Sequence, residues 1–391
     1  MEMKRKTIAI DGRFILRKQR GMPLYVTTLC TLLPSSMPNF HFVVLINTKF
    51  EHNEDPELYR ERLNMISLQE NVEVVDIEAE DEKNWEQKKL PKYLSKSNID
   101  LIHMPANRAC CFTSTKQVVT LHDCMEWKYL DKIHSASPDS SWREKFYVFR
   151  KKLYVKFNYL YGIKQRAEKL ITVSNFSKDD IAKTLRIDHS NINVCYHGIP
   201  SEFSVMNFGQ ISQREGVLLL GGDSYQKNCE LSIKAWASLP RNVRAKNKLT
   251  ICGFSGNTDS PIIKTIEELG IKKEIELKKW VSSSELAELF ASTKVFLFPS
   301  REEGFGFPLL QAMNAGTPVL ISDAAVLREL AGKDYPFVGV DNLKGATQLL
   351  NRYLTDQDFW MISSKAGKEK ASMFNWENSM LEHKKVFESL L

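Results

Sequence analysis

The chain has 391 residues, of which 43% are hydrophobic and 26% are charged, and its formal net charge is +6. This length is too great for one ordinary hydrophobic core, so we expect two domains. The composition is that of an ordinary soluble globular protein, and so modest a charge indicates no class of partner. No apolar stretch approaches the roughly 18 residues of a membrane span. The apolar run behind the basic start ends at Asp11, too early for a signal peptide.

The cysteines are scattered and form no Cys-x-x-Cys pair, which argues against a zinc site. An odd number of thiols suits a reducing compartment, so we expect a cytoplasmic protein with buried thiols. The cysteines lie at positions 30, 110, 111, 124, 195, 229 and 252.

Short apolar runs alternate with helix-period segments in the first half of the chain, which predicts parallel α/β units. Helices are expected at Tyr25–Leu33 and Lys178–Leu185. The acidic, Lys-rich stretch from Phe50 to Lys96 reads as surface helices or a mobile insertion, without assigned chemistry. The expected buried strands are Thr7–Ile10, Phe42–Ile46, Leu101–His103, Val118–Leu121 and Leu170–Val173.

A basic, aromatic helix is predicted from Arg143 to Tyr161. Its apolar stripe is expected to pack on the sheet. The positive charge and the tyrosines exceed what packing requires and favour contact with an anionic membrane surface. Nucleic acid is not an expected partner, since no recognised module accompanies the charge. The stripe is Phe146, Phe149, Leu153, Phe157 and Leu160, and the basic residues are Arg150, Lys151, Lys152 and Lys156.

The α/β pattern restarts in the second half, which predicts a second doubly wound domain. The join is expected near Ile199–Gly209, where Pro200 and Gly209 interrupt the pattern. The expected strands are Gly216–Leu220, Lys248–Cys252, Val295–Phe298 and Pro318–Ile321, with helices near Glu230–Ser238, Pro261–Leu269 and Ser284–Ala291.

The loop Glu303-Gly-Phe-Gly-Phe-Pro308 carries the most specific chemistry. It follows a buried strand and opens a helix near Pro308, so backbone N–H groups and the helix dipole favour a phosphate. Gly304 and Gly306 allow close backbone approach. The carboxylate of Glu303 suits sugar hydroxyls beside that phosphate. The loop therefore predicts a sugar-phosphate site, with an ordinary strand–loop–helix connection as the alternative.

The segments Glu303–Pro308, Gln311–Met313 and Ala315–Val319 together resemble the signature of the family 4 glycosyltransferases, retaining enzymes of GT-B fold. The resemblance implies an α/β fold with two Rossmann-like domains facing across a cleft. It implies an acceptor domain over 1–203, a donor-nucleotide domain over 204–372 and a helix over 373–391 that packs back across the first domain. Other matching pieces are Ile8–Arg13 with Gly21, Thr120–Asp123, Ile171–Ser177, His197–Pro200, Leu218–Gly222 with Lys227 and Asn228, and Phe374–Trp376.

The resemblance also implies the donor site. Glu303 would bind hydroxyls of the donor sugar, Lys227 would neutralise the diphosphate, and His122 would approach the sugar from the opposite domain. These three are the candidate catalytic residues. Gly21 would leave room for the phosphate. The remaining implied donor contacts are Gly222, Asn228, Gly304, Phe305, Gly306, Phe307 and Gln311.

The chemistry implied is front-face transfer of a hexose with retention, from a GDP- or UDP-linked sugar, without metal or cofactor. The leaving diphosphate would take the acceptor's proton. The acceptor would be a glycan or a polyprenyl-linked glycan of surface polysaccharide or lipopolysaccharide biosynthesis, reached at the inner membrane face. Asp356-Gln-Asp358 follows a helical stretch, so we interpret it as surface and not as a metal site.

Two departures from the family pattern leave alternatives open. Gln311 replaces a ribose-binding glutamate, and Gly222 and Gln226 stand where an arginine is common; Arg301 is a candidate to supply that charge. A GT-B-like binding subunit with little or no turnover is therefore the alternative function. A sugar-nucleotide epimerase is a third, for which no catalytic carboxylates are evident. His122, followed by Asp123, has the alternative role of ordering a strand end.

Overall fold

The structure, a computed structural model, contains two parallel sheets, one of seven strands and one of six. Contacts divide the chain into two compact units: Met1–His197 with Trp376–Leu391 form unit 1, and Gly198–Asn375 form unit 2. The predicted pair of doubly wound α/β domains is confirmed. The residues described are 5–19, 21–49, 56–135, 137, 140–200, 203, 211–222, 224–254 and 260–391.

The sheet of unit 1 is parallel throughout, with strand order β3-β2-β1-β4-β5-β6-β7. Apolar clusters on its two faces form the core. The strands are β1 (Thr7–Asp11), β2 (His41–Ile46), β3 (Val72–Asp76), β4 (Leu101–Met104), β5 (Lys116–Thr120), β6 (Lys169–Thr172) and β7 (Ile192–Val194). The helices are α1 (Met22–Ser36), α2 (Pro56–Ser67), α3 (Glu82–Asn84), α4 (Leu90–Leu94), α5 (Met125–Lys128), α6 (Leu130–Ile133), α7 (Trp142–Phe157) and α8 (Asn175–Leu185).

The sheet of unit 2 is also parallel, with strand order β10-β9-β8-β11-β12-β13. Its strands are β8 (Val217–Leu220), β9 (Leu249–Cys252), β10 (Ile275–Lys278), β11 (Val295–Phe298), β12 (Val319–Ser322) and β13 (Phe337–Val338). Its helices are α9 (Cys229–Ala237), α10 (Arg241–Lys246), α11 (Pro261–Glu268), α12 (Ser283–Ser292), α13 (Phe307–Asn314), α14 (Ala325–Ala331), α15 (Leu343–Thr355) and α16 (Gln357–Ala371).

The helix α17 (Trp376–Glu388) returns to unit 1. Met380, Val386 and Phe387 are buried in the same apolar cluster as Tyr25 of α1. Unit 2 begins at Gly198, and the chain re-enters unit 1 at Trp376. The domain boundaries predicted from the sequence were at residues 204 and 373. Much of the predicted join, 201–202 and 204–210, lies outside the described residues.

The stretch 50–96 is built into unit 1 more closely than its composition indicates. Its first six residues lie outside the described part of the chain, and the next form α2. Val72–Asp76 then adds the edge strand β3 beside β2, where surface helices or an insertion were expected. Alternation of Val with Glu in an edge strand gives no continuous apolar run, which explains the missed strand.

The prediction that the apolar stripe of α7 packs on the sheet is wrong. Those five side chains are between 41% and 55% exposed. The helix packs instead through Val155, and a π-helical continuation, Asn158–Arg166, packs through Tyr159 and Ile163. Val155, Tyr159 and Ile163 are spaced four residues apart, so they lie on one face, and this face is buried. The predicted stripe lies on a different face, which is exposed to solvent.

Candidate functional site

The loop 299–306 connects β11 to α13 at the carboxyl edge of the sheet of unit 2. Gly306, the N-cap of α13, has a φ of 109°, in the left-handed region that favours glycine. Pro308 lies in the first helical turn, where its missing N–H leaves no bond unmade. The rings of Phe305 and Phe307 meet edge to face at 5.3 Å. The side chains of these two predicted donor residues are therefore used in packing.

Asn228 connects the loops that follow β8, β11 and β13. It lies at the N-cap of α9 with a φ of 54° and is buried. Its Nδ2 donates to the carbonyl oxygens of Pro299, at 3.1 Å, and Val340, at 2.7 Å. Its Oδ1 accepts from the guanidinium of Arg301 at 3.1 Å. The side chain of Asn228 thus holds these loops in place. Any contact of Asn228 with a sugar nucleotide would therefore be made by its backbone.

Lys227 and Glu303 are in direct contact. Nζ of Lys227 donates to Oε1 of Glu303 at 2.8 Å and lies 5.2 Å from the ring centroid of Phe298. The exposed fractions of the two side chains are 36% for Lys227 and 14% for Glu303. Gly304, the next residue, is half-buried. The fold therefore joins two of the three candidate catalytic residues, which are 76 positions apart in the sequence.

Arg301 brings a guanidinium to the loop that lacks the expected arginine. Its backbone N–H donates to the carbonyl of Gln226 at 2.7 Å. Its guanidinium lies 2.7 Å from Oδ1 of Asp341 and 4.5 Å above the ring centroid of Tyr225. Arg301 and Gly222 both line a cavity of about 400 Å³ at this edge of the sheet. These contacts hold Arg301 beside the loop of Lys227.

Gln311 lies on α13, eight positions after Glu303, and is 7% exposed. A neutral amide can be buried here at a lower cost than a carboxylate. Its oxygen can still accept a hydrogen bond from a hydroxyl group. The departure from the family pattern therefore preserves an acceptor and removes a charge.

His122 lies just beyond the end of β5, in unit 1. Its Nε2 donates to the carbonyl oxygen of Pro105 at 3.0 Å, and its backbone N–H donates to Oδ1 of Asn107 at 2.8 Å. Its ring stands edge-on to that of Tyr25, with centroids 5.2 Å apart. Burial lowers the pKa of His122 to about 4. The ring is thus neutral at pH 7, and Nδ1 is its hydrogen-bond acceptor.

Gly21 is the N-cap of α1, also in unit 1. Its φ of 55° lies in the left-handed region, where glycine is favoured. No described atom lies within 4 Å of the position that a Cβ would take. The positive φ explains the glycine at position 21, whereas steric crowding around a Cβ does not.

Two family profiles match the sequence, one behind the other. The profile described as Glycosyltransferase Family 4 matches residues 21–203, and that described as Glycosyl transferases group 1 matches residues 207–370. Each covers most of one of the two α/β units. The chain belongs to the family 4 glycosyltransferases.

Relatives of this family 4 glycosyltransferase include the O-antigen chain mannosyltransferase RfbU of Salmonella typhimurium. The two are 28% identical over 275 residues, which are 64% of this chain and 70% of RfbU. The O-antigen chain mannosyltransferase B of Escherichia coli is 25% identical over 221 residues, 54% of this chain and 58% of that protein. The match to the second relative thus spans less than two thirds of its length.

Among solved structures, the family 4 glycosyltransferase resembles WaaG, a glycosyltransferase involved in lipopolysaccharide biosynthesis. The TM-score is 0.67 at 15% identity, and the match covers 96% of this chain and 98% of WaaG. At this identity the likeness shows the fold alone. The predicted GT-B fold is confirmed.

The four basic residues predicted to meet a membrane lie on α7. Arg150, Lys151 and Lys156 are exposed, whereas Lys152 is half-buried with Nζ 2.7 Å from Oδ1 of Asp131. They share the helix with the first four residues of the exposed apolar stripe, and Leu160, the fifth, lies in the π-helical continuation. In the described part of the glycosyltransferase, no helix is both long enough and apolar enough to cross a bilayer.

A group of buried histidines around Tyr25 was missed by sequence reasoning. Tyr25 Oη donates to Nε2 of His383 at 2.8 Å and lies 2.9 Å from Oγ1 of Thr120, which is 2.8 Å from Nε2 of His103. The ring centroid of His197 is 4.6 Å from that of Tyr25. Burial lowers the pKa of all three histidines. They come from separate segments of the chain, so no spacing pattern reveals them.

A buried ionic network was also missed. Arg13 lies 2.7 Å from Oδ2 of Asp11 and 2.9 Å from Oε1 of Glu86, with its guanidinium 3.9 Å above the ring centroid of Trp85. Tyr154 of α7 donates to Oε2 of Glu86. Burial raises the pKa of Glu86, although Arg13 opposes the shift. The network connects the end of β1 to α7. Glu86 lies in the stretch to which the sequence assigned no chemistry.

The structure gives Asp356 of the Asp-x-Asp sequence a structural role. It caps α16 and accepts from the N–H of Phe359 at 2.9 Å. Within the described ranges, no group of three or more His, Cys, Asp or Glu side chains is arranged to hold a metal ion.

Proposed function

We propose that this glycosyltransferase moves a hexose from a GDP- or UDP-linked sugar to a glycan or lipid-linked acceptor, with retention, in surface polysaccharide biosynthesis. Mannose is the first candidate for the sugar, because the two relatives are named mannosyltransferases. The observation that carries the proposal is the 2.8 Å contact of Lys227 with Glu303 beside the N-terminus of α13. The contact places a cation that can bind a diphosphate beside a carboxylate that can accept hydrogen bonds from sugar hydroxyls.

Each residue of the site has a proposed task. Glu303 accepts hydrogen bonds from hydroxyls of the donor sugar. Lys227 neutralises the diphosphate, and the backbone amides of Gly304–Phe307 meet the sugar and phosphate at the positive end of α13. The amide oxygen of Gln311 accepts a bond from a ribose hydroxyl. Asn228 positions the loop of Lys227 through the hydrogen bonds already described.

The proposed reaction requires no protein nucleophile and no metal ion. The acceptor oxygen forms its bond to the anomeric carbon on the face from which the diphosphate departs. The acceptor's proton passes to the leaving diphosphate. Lys227 stabilises the negative charge that develops on the leaving group. The roles of His122 and Gly21 toward the sugar and phosphate rest on the family resemblance and belong to the same proposal.

The test is release of GDP or UDP from a panel of sugar nucleotides, led by GDP-mannose, with glycan acceptors. We expect Glu303→Ala to lower kcat/KM by about a hundredfold or more, because an interaction strengthened in the transition state is lost. The control, Glu302→Ala, removes the neighbouring carboxylate and is expected to retain most activity. Equal activity in wild type and Glu303→Ala would reject the site.

A binding subunit with little or no turnover is the second candidate function. The buried neutral Gln311 and the absence of an arginine at Gly222 and Gln226 favour it. Tight binding of a sugar nucleotide, with no diphosphate release on any acceptor tried, would establish this alternative. Turnover that depends on Glu303 would exclude it.

We also propose that α7 docks the enzyme on an anionic membrane that holds a lipid-linked acceptor. The stripe from Phe146 to Leu160 is exposed on one side of the helix. Phe112 stacks on Phe157 with ring centroids 6.0 Å apart and widens the apolar surface. Exposed Arg150 and Lys151 lie on the same helix. Exposed aromatic residues beside basic ones suit the boundary between acyl chains and anionic headgroups.

Co-sedimentation with vesicles of phosphatidylcholine and phosphatidylglycerol tests the docking. We expect Arg150→Glu with Lys151→Glu to weaken binding about tenfold or more, since each basic residue near such a surface contributes about 1 kcal/mol. Phe146→Ser with Phe149→Ser should weaken it also. The control, Lys272→Glu with Lys273→Glu, makes the same charge change at an exposed turn of unit 2. Equal binding by the α7 variants and this control would contradict the proposal.

A further inference from the structure

Lys227 and Glu303 are each other's counterion in the structure. Their contact of 2.8 Å is a charge-assisted hydrogen bond at normal length. Glu303 is the more buried partner, with 14% of its side chain exposed against 36% for Lys227. The nearby ammonium stabilises a carboxylate so placed, because their attraction offsets part of the hydration that the carboxylate has lost.

A bound nucleotide diphosphate would compete with Glu303 for Lys227. The diphosphate attracts the ammonium, and its negative charge near the carboxylate repels Glu303. An intact sugar nucleotide replaces the hydrogen bond that Glu303 loses when Lys227 moves to the diphosphate, because the sugar hydroxyls donate to the carboxylate. A free nucleotide diphosphate, the product, offers no such donors.

We propose that Glu303 acts as a displaceable counterion that selects sugar nucleotide over nucleotide diphosphate and promotes release of the product. After transfer, the sugar no longer satisfies Glu303, and re-formation of the Lys227–Glu303 pair opposes retention of the diphosphate. The inference rests on the proposed function and adds a role in product release to the same carboxylate.

The proposal predicts effects of opposite sign for two ligands. In Glu303→Gln, the ammonium of Lys227 has no competing carboxylate. The affinity for GDP or UDP should therefore rise about two- to fivefold, the range expected for removing a partly exposed ion pair. The affinity for the matching sugar nucleotide should fall, because a charge-assisted bond to its hydroxyls becomes a weaker neutral one.

The measurement is calorimetric titration of GDP, UDP and the matching sugar nucleotides into wild type, Glu303→Gln, Lys227→Met and the double variant. The tightening toward nucleotide diphosphate should vanish in the Lys227→Met background, because it acts through that ammonium. It should also diminish at high salt. Glu302→Gln, which removes the same charge one residue earlier, should change diphosphate affinity less than about twofold.

The outcomes separate the inference from the function on which it rests. Unchanged or weaker diphosphate binding by Glu303→Gln would overturn the inference if the variant unfolds at the wild-type temperature and wild type transfers sugar. Tightening that persists without Lys227 would overturn it as well. Wild-type protein that binds neither nucleotide diphosphates nor sugar nucleotides would overturn the proposed function instead.

Discussion

Gln311, the proposed ribose contact, is a buried neutral residue. It is 7% exposed on α13, in the place where the family usually has a glutamate. A carboxylate there would accept a stronger bond from a ribose hydroxyl but would lose its own hydration in the empty protein. The neutral amide avoids this second cost and gives a weaker bond.

Replacing Gln311 by glutamate should therefore change two quantities in opposite directions. We expect Gln311→Glu to lower the free energy of unfolding of the empty protein by about 1–3 kcal/mol, the cost of an unsatisfied buried polar group. We expect donor affinity to rise about three- to tenfold through the charge-assisted bond. Thermal unfolding with and without sugar nucleotide measures both. Gln311→Leu, which lacks the acceptor, should show a reduced ligand-induced shift; identical shifts in all three proteins would refute a ribose contact.

Sequence alone could predict Glu303 and Lys227 but not their contact. The Gly-rich loop and the strand–helix boundary are local patterns, so they locate Glu303 without a structure. The pairing with Lys227 depends on β8 and β11 lying side by side, and no local pattern encodes that neighbourhood. The hydrogen bonds of Asn228 to Pro299 and Val340 could not be predicted from the sequence for the same reason. The signature predicts these two residues as part of a site, and the sheet topology determines that they are in contact.

At the level of elements, Arg214 ties together the ends of two helices. Its guanidinium donates to the carbonyl oxygens of Phe290, at 3.1 Å, and Thr293, at 3.3 Å, at the end of α12. It also donates to the carbonyl of Ala315 after α13, and to Oγ1 of Thr317, both at 2.6 Å. A cation is favourable at the carboxyl ends of helices, where carbonyl groups lack partners.

Removing this tie should destabilise unit 2. We expect Arg214→Met to lower its free energy of unfolding by about 2–4 kcal/mol, because buried carbonyl groups lose their donors. Urea unfolding followed by far-ultraviolet circular dichroism measures the loss. Arg241→Met, at an exposed position in α10, is the control and should change stability by less than about 0.5 kcal/mol. Equal stability of the two variants would contradict the structural role.

The elements that sequence reasoning found and missed differ in their burial. Central strands such as β1 and β11 are continuous apolar runs, because both faces of a parallel sheet are covered. The edge strand β10, Ile275–Lys278, alternates with Glu and Lys and gives no such run. On α7, periodicity identified the helix correctly but could not show which of its faces meets the sheet.

At the level of the molecule, unit 1 contains a built-in sensitivity to acid. Burial lowers the pKa of His122 and of His383 from 6.5 to about 4, and those of His103 and His197 well below 6.5. The unfolded chain therefore binds protons at a higher pH than the folded unit. For His122 and His383, this contribution to stability is complete above about pH 6.5 and is lost as the pH falls through the folded pKa near 4.

Urea unfolding between pH 7 and pH 4.5 measures this loss. We expect the free energy of unfolding of unit 1 to fall on acidification. In His383→Gln this fall should be about 1–2 kcal/mol smaller than in wild type. Glutamine can still accept the hydrogen bond of Tyr25. Glu382, adjacent on α17, partly opposes the pKa shift of His383. His189→Gln, at a side chain 60% exposed, is the control; the same acid sensitivity in both variants would count against the buried cluster.

The chain leaves unit 1 after His197 and returns to it at Trp376, with all of unit 2 in between. A ribosome therefore completes unit 2 before it reaches α17. Until then the apolar cluster around Tyr25 lacks Met380, Val386 and Phe387, and its surface stays open to solvent. Exposed apolar surface on a nascent chain invites aggregation and chaperone binding. The unit whose synthesis starts earlier thus finishes folding later, and α17 sets the moment at which it does so.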